Sequence, residues 1–167
     1  MDEERVVIMD RKIQSQASVI INVPRQRVWD YCMDISKIPE FHPRVSKVDL
    51  LSGKTIKEEG VSYRCSITEG RDKGTCVEKI IKIVPMEKFT TSLPEDSWGL
   101  ADLFENYTVD TVFESISQNQ TKVSILHYYD TIKLKAKLMN ILAKGKVTKQ
   151  TLDTLNGIKE KLENKEI

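Results

Sequence analysis

Apolar residues in the last third of the chain recur at spacings of three and four, which is the period of one helix face. The predicted helix runs from Thr131 to Glu163 without a proline, and Asp130 or Thr131 can cap its start. Its main apolar stripe consists of Leu134, Leu138, Ile141, Leu142, Gly145, Thr148, Leu152, Leu155 and Leu162. About thirty residues of helix span roughly 45 Å, so we expect this helix to lie across the rest of the domain.

The hundred or so residues before this helix have the alternation and the β-branched content of strands. We predict seven strands, which begin near Gln14, Val45, Val61, Thr75, Glu87, Leu103 and Lys122. The clearest period of two is VSYRCSIT, where Tyr63, Cys65 and Ile67 alternate with polar residues. Because most of these strands are joined by short turns, we expect an antiparallel meander.

Two short helices are predicted between the first and second strands. Pro24 opens the first of them, PRQRVWDYCMD, which carries Val28, Trp29 and Cys32 on one face, so we expect Trp29 to be buried. The order of strand, two helices, six strands and long helix predicts one α+β domain over residues 1–167, with the sheet curved around the C-terminal helix. Residues 1–13 are expected to be flexible or to extend the first strand.

One stretch, ASVIINVPRQRVWDYCMDISKIPEFHPRVSKVDLLSG, resembles the opening of the START-like (SRPBCC) superfamily, in its polyketide cyclase/dehydrase-like or coenzyme Q-binding-like branch. The matching positions are Pro24, Val28, Trp29, Asp30, Asp34, Pro39, Phe41 and Pro43. The order of elements extends the resemblance over nearly the whole chain. It implies a helix-grip fold with a cavity between the sheet and the C-terminal helix, which such proteins commonly use to bind an apolar small molecule. It carries over no catalytic residues.

Charge and cysteine content exclude several classes of function. A net charge of +1 gives no global field that favours nucleic acid, and no apolar run is long enough to span a bilayer. The acidic N-terminus lacks the apolar core of a secretory signal, so we expect a cytoplasmic protein. Cys32, Cys65 and Cys76 lack metal-site spacing and favour reduced thiols, although a Cys65–Cys76 disulfide stays open. We predict neither a metal nor a cofactor.

Two residues are candidates for acid–base chemistry. His127 shares a strand face with apolar neighbours, and if that face looks inward it could act as a general base or donate to a ligand carbonyl. Glu105 lies between Leu103 and Tyr107, where burial would raise its pKa. The alternatives are a hydrogen-bonded core histidine and a carboxylate kept wet at the mouth of the domain.

A larger set is predicted to line an apolar cavity with a few polar groups. This set is Tyr63, Trp98, Leu103, Tyr107, Tyr129, Leu138, Ile141, Gly145 and Thr148. Trp98 lies in the loop EDSWGLAD, which we expect to border the mouth. Gly145 lies in a helix interior at a cost of about 1 kcal/mol, which indicates either room for a ligand or a close approach of the sheet backbone.

The C-terminal helix also has unusual charge and a second stripe. Six lysines and no acidic residue lie between Thr131 and Lys149, either as stems along the sheet edges or as a basic rim for an anionic head group or surface. The second stripe is Ile132, Ala136, Met139, Ala143 and Val147. We expect the rest of the chain to cover that stripe, or a homodimer to form through it.

Together these patterns predict a protein that binds or carries a hydrophobic or amphipathic small molecule, lipid-like or polycyclic, in the cavity. One alternative is a cyclase/dehydratase-type enzyme that uses His127 or Glu105 as its base. A protein-interaction module with an incidental cavity is the other.

Overall fold

The computed structural model describes residues 11–164. Its elements, in chain order, are β1 (Ile13–Ile21), α1 (Arg25–Met33), a 3₁₀ turn (Ile35–Lys37), α2 (Ile38–Phe41), β2 (Val45–Leu50), β3 (Ser62–Glu69), β4 (Asp72–Val84), β5 (Lys88–Asp96), α3 (Leu100–Leu103), β6 (Glu105–Ser117), β7 (Gln120–Asp130) and α4 (Leu134–Glu163). The expectation for residues 1–13 falls mostly outside the described residues, and β1 begins at Ile13.

The seven strands form one antiparallel sheet in the order β1-β7-β6-β5-β4-β3-β2. Strands β2 to β7 follow one another as the predicted meander, and β1 crosses over to pair with β7. The sheet curves around α4, with α1, the 3₁₀ turn and α2 between the first two strands. The α+β helix-grip fold predicted from the sequence is confirmed.

The main core lies on the concave side of the sheet, at the C-terminal half of α4. Trp29 of α1 is only 8% exposed and makes edge-on ring contacts with Phe113 at 5.2 Å and Phe89 at 6.4 Å. Leu155 and Ile158 of α4 belong to the same cluster. The predicted burial of Trp29 is confirmed, and these contacts fix α1 and the C-terminal half of α4 against the sheet.

The N-terminal half of α4 is turned the other way from the prediction. Leu138 and Ile141, which we expected to face the sheet, are 58% and 75% exposed. Ala136, from the second stripe, is buried instead, and it packs against Phe104 and Tyr129. Because those two rings fill the space under the helix, only a small side chain fits there. The expected orientation of the main stripe is therefore wrong in this half.

Gly145 lies on the same exposed side of α4. A Cβ atom built there meets nothing within 4 Å, so the expected close approach of the sheet backbone is wrong. Because Gly145 is exposed to solvent and does not face the sheet, the expected room for a ligand beside it is wrong as well. A second helix glycine, Gly157, does have a packing role. A Cβ atom there would collide with the backbone carbonyl of Phe41, where α2 crosses α4. The tight contact in α4 thus lies at Gly157.

Candidate ligand-binding site

A chain of hydrogen bonds runs from β6 through β7 to α4 on the concave side of the sheet. Nδ1 of His127 lies 3.0 Å from the Tyr107 hydroxyl, and its Nε2 lies 2.9 Å from Oγ1 of Thr151. The Thr151 hydroxyl donates to the Val147 carbonyl at 2.8 Å, so its oxygen accepts from His127. This places the imidazole proton on Nε2 and leaves Nδ1 to accept from Tyr107.

Burial controls the ionisation of His127 and Tyr107 in this chain. It lowers the pKa of His127 from 6.5 to about 4, so the imidazole is neutral at pH 7. Burial also raises the pKa of the Tyr107 hydroxyl, with a further increase from Tyr129. The charges of Arg44 and Glu78 act on the same pKa, the first lowering it and the second raising it. Both groups therefore lie within electrostatic range of Tyr107.

Arg44 and Glu78 carry the charge of this region. The Tyr63 hydroxyl donates to Oε2 of Glu78 at 2.6 Å, and Tyr63 is almost fully buried. Arg44 lies just before β2, and its Nη1 is 3.5 Å from Oε2 of Glu69. Its Nε is buried and has no hydrogen-bond partner among the described residues. An unused buried donor costs stability unless a bound molecule completes it.

Glu69 also ties the end of β3 to the middle of α4. Its Oε1 accepts from Lys146 at 2.6 Å and from Gln150 at 3.1 Å. The hydrogen bond from Lys146 is the main cause that lowers the pKa of Glu69. This carboxylate thus links α4 to the side of the sheet opposite β1.

Two apolar clusters flank the polar groups along the inward positions of β7. Val123 and Ile125 belong to the main core, His127 comes next, and Tyr129 belongs to a second, smaller cluster. The small cluster also contains Phe104, Ala136, Leu103 and Tyr107. Tyr107 and Tyr129 stack at 4.9 Å. The concave face therefore offers apolar walls on both sides of a hydrogen-bonding centre, the general composition of a small-molecule site.

Hydrogen bonds fix the small cluster between β1, β7 and α4. The Tyr129 hydroxyl donates to Oδ1 of Asn140 at 2.5 Å, and Nδ2 of Asn140 donates to Gln14 at 3.2 Å. Gln14 in turn donates to the Tyr129 carbonyl at 3.0 Å. An open cleft of about 440 Å³ reaches this network, and it is lined by Arg11, Lys12, Gln14, Tyr129, Asp130, Thr131, Ile132 and Lys137.

The structure brings part of the predicted site together. Leu103, Tyr107, Tyr129 and His127 are close to one another on the concave side, and Tyr63 lies on the same side through its bond to Glu78.

The other predicted residues are elsewhere. Leu138, Ile141 and Gly145 face solvent, as described above. Glu105 is half-exposed, with its carboxylate 3.6 Å from Lys133. Thr148 is exposed and bonds Ser15 of β1 at 2.8 Å. Of the two alternatives for Glu105, the structure therefore has the carboxylate kept wet at the mouth, because the start of β6 lies at the rim.

Trp98 has a packing role in addition to its exposure. It is 42% exposed, and its ring lies across Gly74 of β4, where a Cβ atom would collide with it. Contact between Trp98 and a ligand stays a prediction.

Three polar residues of this region were missed from the sequence. Glu78 lies on the same strand face as the apolar Cys76 and Ile80 in TCVEKIIKIV, so its inward direction could have been inferred. Arg44 and Thr151 carry no such signal, since their roles depend on contacts between segments far apart in the chain.

A pair of cysteines lies near Glu78. Cys65 and Cys76 are direct partners in the β3–β4 register, and both thiols are free and buried. Their sulfur atoms and a Glu78 oxygen lie within 4.8 Å of one another, a set that could hold a thiophilic cation. The hydrogen bond with Cys76, and then burial, raises the pKa of Cys65, which disfavours the thiolate that a metal or a disulfide needs.

Comparison with known proteins identifies the family. The sequence matches the family described as "Polyketide cyclase / dehydrase and lipid transport" over residues 12–163. No curated protein matches it significantly. Among the described residues, no helix is long and apolar enough to cross a membrane.

Solved structures with the same fold share little sequence with this chain. TTHA0849 from Thermus thermophilus is 17% identical with a TM-score of 0.71, and the match covers 92% of this chain and 99% of that one. The Zhui aromatase/cyclase from a Streptomyces species is 14% identical with a TM-score of 0.70, covering 89% and 92%. A START superfamily protein from Mycobacterium smegmatis is 13% identical with a TM-score of 0.66, covering 88% and 97%. The chain belongs to the polyketide cyclase/dehydrase and lipid transport family.

Proposed function

We propose that the protein binds and carries a hydrophobic or amphipathic small molecule, lipid-like or polycyclic, between the sheet and α4. The observation that carries this proposal is the hydrogen-bonded chain of Tyr107, His127 and Thr151 between two apolar clusters on the concave side. Apolar walls hold such a ligand by its shape, and a few polar groups fix its orientation.

The polar end of the ligand belongs near Arg44. The Nε–H of Arg44 is a buried donor without a partner among the described residues, and the Tyr107 hydroxyl already donates to His127. Arg44 therefore offers a charged donor, and the Tyr107 hydroxyl offers an oxygen that can accept a hydrogen bond. A carboxylate or carbonyl oxygen would complete the hydrogen bonding of Arg44. We therefore favour an amphipathic ligand with an oxygen-bearing head and an apolar body.

The alternative enzyme, of the cyclase/dehydratase type, receives less support from the geometry. Both nitrogens of His127 are occupied, and Nδ1, the basic one, accepts from Tyr107. A substrate proton would have to displace that hydroxyl first. Glu105 is half-exposed at the rim beside Lys133, which favours a surface role. An enzyme with other catalytic groups on the same face stays the second candidate.

Four further expectations are also proposals. They are a protein-interaction module as the function, a homodimer through α4, a contact of α4 with an anionic surface, and a cytoplasmic location.

Palmitate is a suitable probe because it joins a carboxylate to a long apolar chain. We expect native mass spectrometry to show one palmitate per chain. Arg44→Met should weaken binding about tenfold, since it removes the charged donor while keeping the apolar stem. Arg64→Met removes the same charge from an exposed pair with Glu95 and is the matched control. Equal affinities in the two variants would contradict the proposed site.

His127→Gln separates a binder from an enzyme. Glutamine can donate to Thr151 and accept from Tyr107, so a binder should keep palmitate affinity within a few-fold. A family-type cyclisation or dehydration found with the wild type and abolished by this variant would favour the enzyme instead.

A further inference from the structure

The first half of α4 has an apolar side that nothing in the described chain covers. We call Leu134, Leu138, Ile141 and Leu142 the outer α4 face. Their exposed fractions are 74%, 58%, 75% and 79%, and Ile132 just before the helix is 66% exposed. Four large aliphatic side chains at helical spacing form a continuous stripe, unlike the single exposed residues found on most surfaces.

Unpaired positive charge accompanies the outer α4 face. Lys135, Lys137 and Lys144 make no ion pair with any residue in the range 11–164. No aspartate or glutamate occurs between Thr131 and Leu152, so no acidic side chain of the helix neutralises them locally. A helix with an apolar stripe and flanking lysines has the composition of one that lies in the interface of an anionic bilayer.

We infer that the outer α4 face docks the protein on membranes that contain anionic phospholipids. The leucine and isoleucine side chains enter the boundary between head groups and acyl chains, and the lysines contact the phosphates and carboxylates above it. The helix lies parallel to the membrane plane, because its exposed apolar side chains follow one another along one side of it.

Charge favours a membrane over a second copy of the chain. A symmetric dimer through the same face would bring the three unpaired lysines of one protomer against those of its partner. Like charges in a desolvated interface oppose association, whereas an anionic surface attracts all of them.

Docking would also orient the open cleft. Ile132 and Lys137 line the cleft that reaches Tyr129 and the small cluster, and both are at the N-terminal end of the outer α4 face. A docked molecule therefore turns this opening toward the bilayer. That last step, exchange of a ligand with the membrane, rests on the proposed function, whereas docking itself does not.

Vesicle flotation with the full chain tests the inference. The two vesicle types are phosphatidylcholine alone and phosphatidylcholine with about 30% phosphatidylserine. One variant combines Leu138→Ser, Ile141→Ser and Leu142→Ser, and its control combines Ile56→Ser, Ile81→Ser and Ile116→Ser, which are also exposed. A charge variant combines Lys135→Gln, Lys137→Gln and Lys144→Gln, and its control combines Lys73→Gln, Lys82→Gln and Lys161→Gln.

We expect wild-type protein to float with the anionic vesicles and much less with phosphatidylcholine. Each outer-face triple variant should lower the bound fraction about tenfold, and each control should leave it nearly unchanged. Circular dichroism should show all variants folded. Flotation unaffected by both outer-face variants would overturn the inference, and so would a dimer in light scattering that the serine variant dissolves.

Absence of binding to either vesicle type would overturn it too. Palmitate binding in solution gives an independent result. Its loss would contradict the proposed function while leaving the docking result intact.

Discussion

Tyr107 and His127 are joined by a hydrogen bond of 3.0 Å between the tyrosine hydroxyl and Nδ1 of the imidazole. The second ring nitrogen donates to Thr151 on α4, so the histidine connects the sheet to the helix. A neutral imidazole can fill both roles, whereas an imidazolium would carry a second N–H, on Nδ1, facing a tyrosine hydroxyl that is itself donating. Protonation of His127 should therefore weaken the contact between sheet and helix.

The first prediction is a loss of stability in mild acid. The pKa of His127 is lowered to about 4 in the folded protein from 6.5, because the charged form is poorly solvated there. Between these two pH values the unfolded chain binds a proton that the folded one does not. The stabilisation is thus complete above pH 6.5 and is lost as the pH falls to 4, by roughly 2–3 kcal/mol for this group.

Urea unfolding of wild type and His127→Gln between pH 7 and pH 4 measures this contribution. The variant should lose less stability on acidification. His42, whose pKa burial also lowers to about 4, makes a separate contribution that His42→Gln removes. A pH profile of His127→Gln that parallels the wild type would show that the imidazole is not the titrating group.

The second prediction concerns the two helix glycines. Gly145→Ala should stabilise the protein by up to about 1 kcal/mol, because alanine is the better helix former and its Cβ meets open space. Gly157→Ala should destabilise it by roughly 1–3 kcal/mol or more, since its Cβ collides with the Phe41 carbonyl. Both variants make the same chemical change, so thermal melts compare the two positions directly. Shifts of the melting temperature with the same sign would contradict the assigned packing.

The third prediction compares the two tryptophans. Trp29→Ala should cost about 3–5 kcal/mol, because it removes a buried ring from between Phe89 and Phe113. Trp98→Ala should cost less than half of that, since the Trp98 ring is 42% exposed. Denaturant unfolding of both variants checks the ranking. A loss below about 1 kcal/mol for Trp29→Ala would mean that the main core does not depend on this ring.

The fold could be predicted because its strongest sequence patterns are local. The alternation of Tyr63, Cys65 and Ile67 marks a strand with one buried face, and the long proline-free run after Asp130 permits only one long helix. The same alternation placed His127 and Tyr129 on one side of β7, as the structure shows.

The orientation of α4 could not be predicted, because the helix is apolar on two sides in its first half. Judged by hydrophobicity alone, the stripe with leucines is predicted to be buried rather than the stripe with alanines. The space under α4 is already filled by Phe104 and Tyr129, however, so Ala136 fits and Leu138 is left outside. That choice depends on the volume of residues from other strands, which helix periodicity does not contain.

The polar residues of the candidate site could be predicted only in part, for a similar reason. Arg44 and Tyr107 are more than sixty residues apart in the chain, yet the charge of Arg44 lowers the pKa of Tyr107. No rule of sequence spacing relates a residue just before β2, such as Arg44, to a residue of β6, such as Tyr107.

The most direct test of the proposed binding site is an NMR titration of ¹⁵N-labelled protein with palmitate. This measurement reports where the ligand lies, which separates the interior site from adsorption on the outer α4 face. We predict that the backbone amides of Tyr107 and His127 and the Arg44 Nε–H signal shift together, while those of Leu138 and Leu142 change little. Shifts confined to Leu138, Leu142 and their neighbours would contradict an interior site.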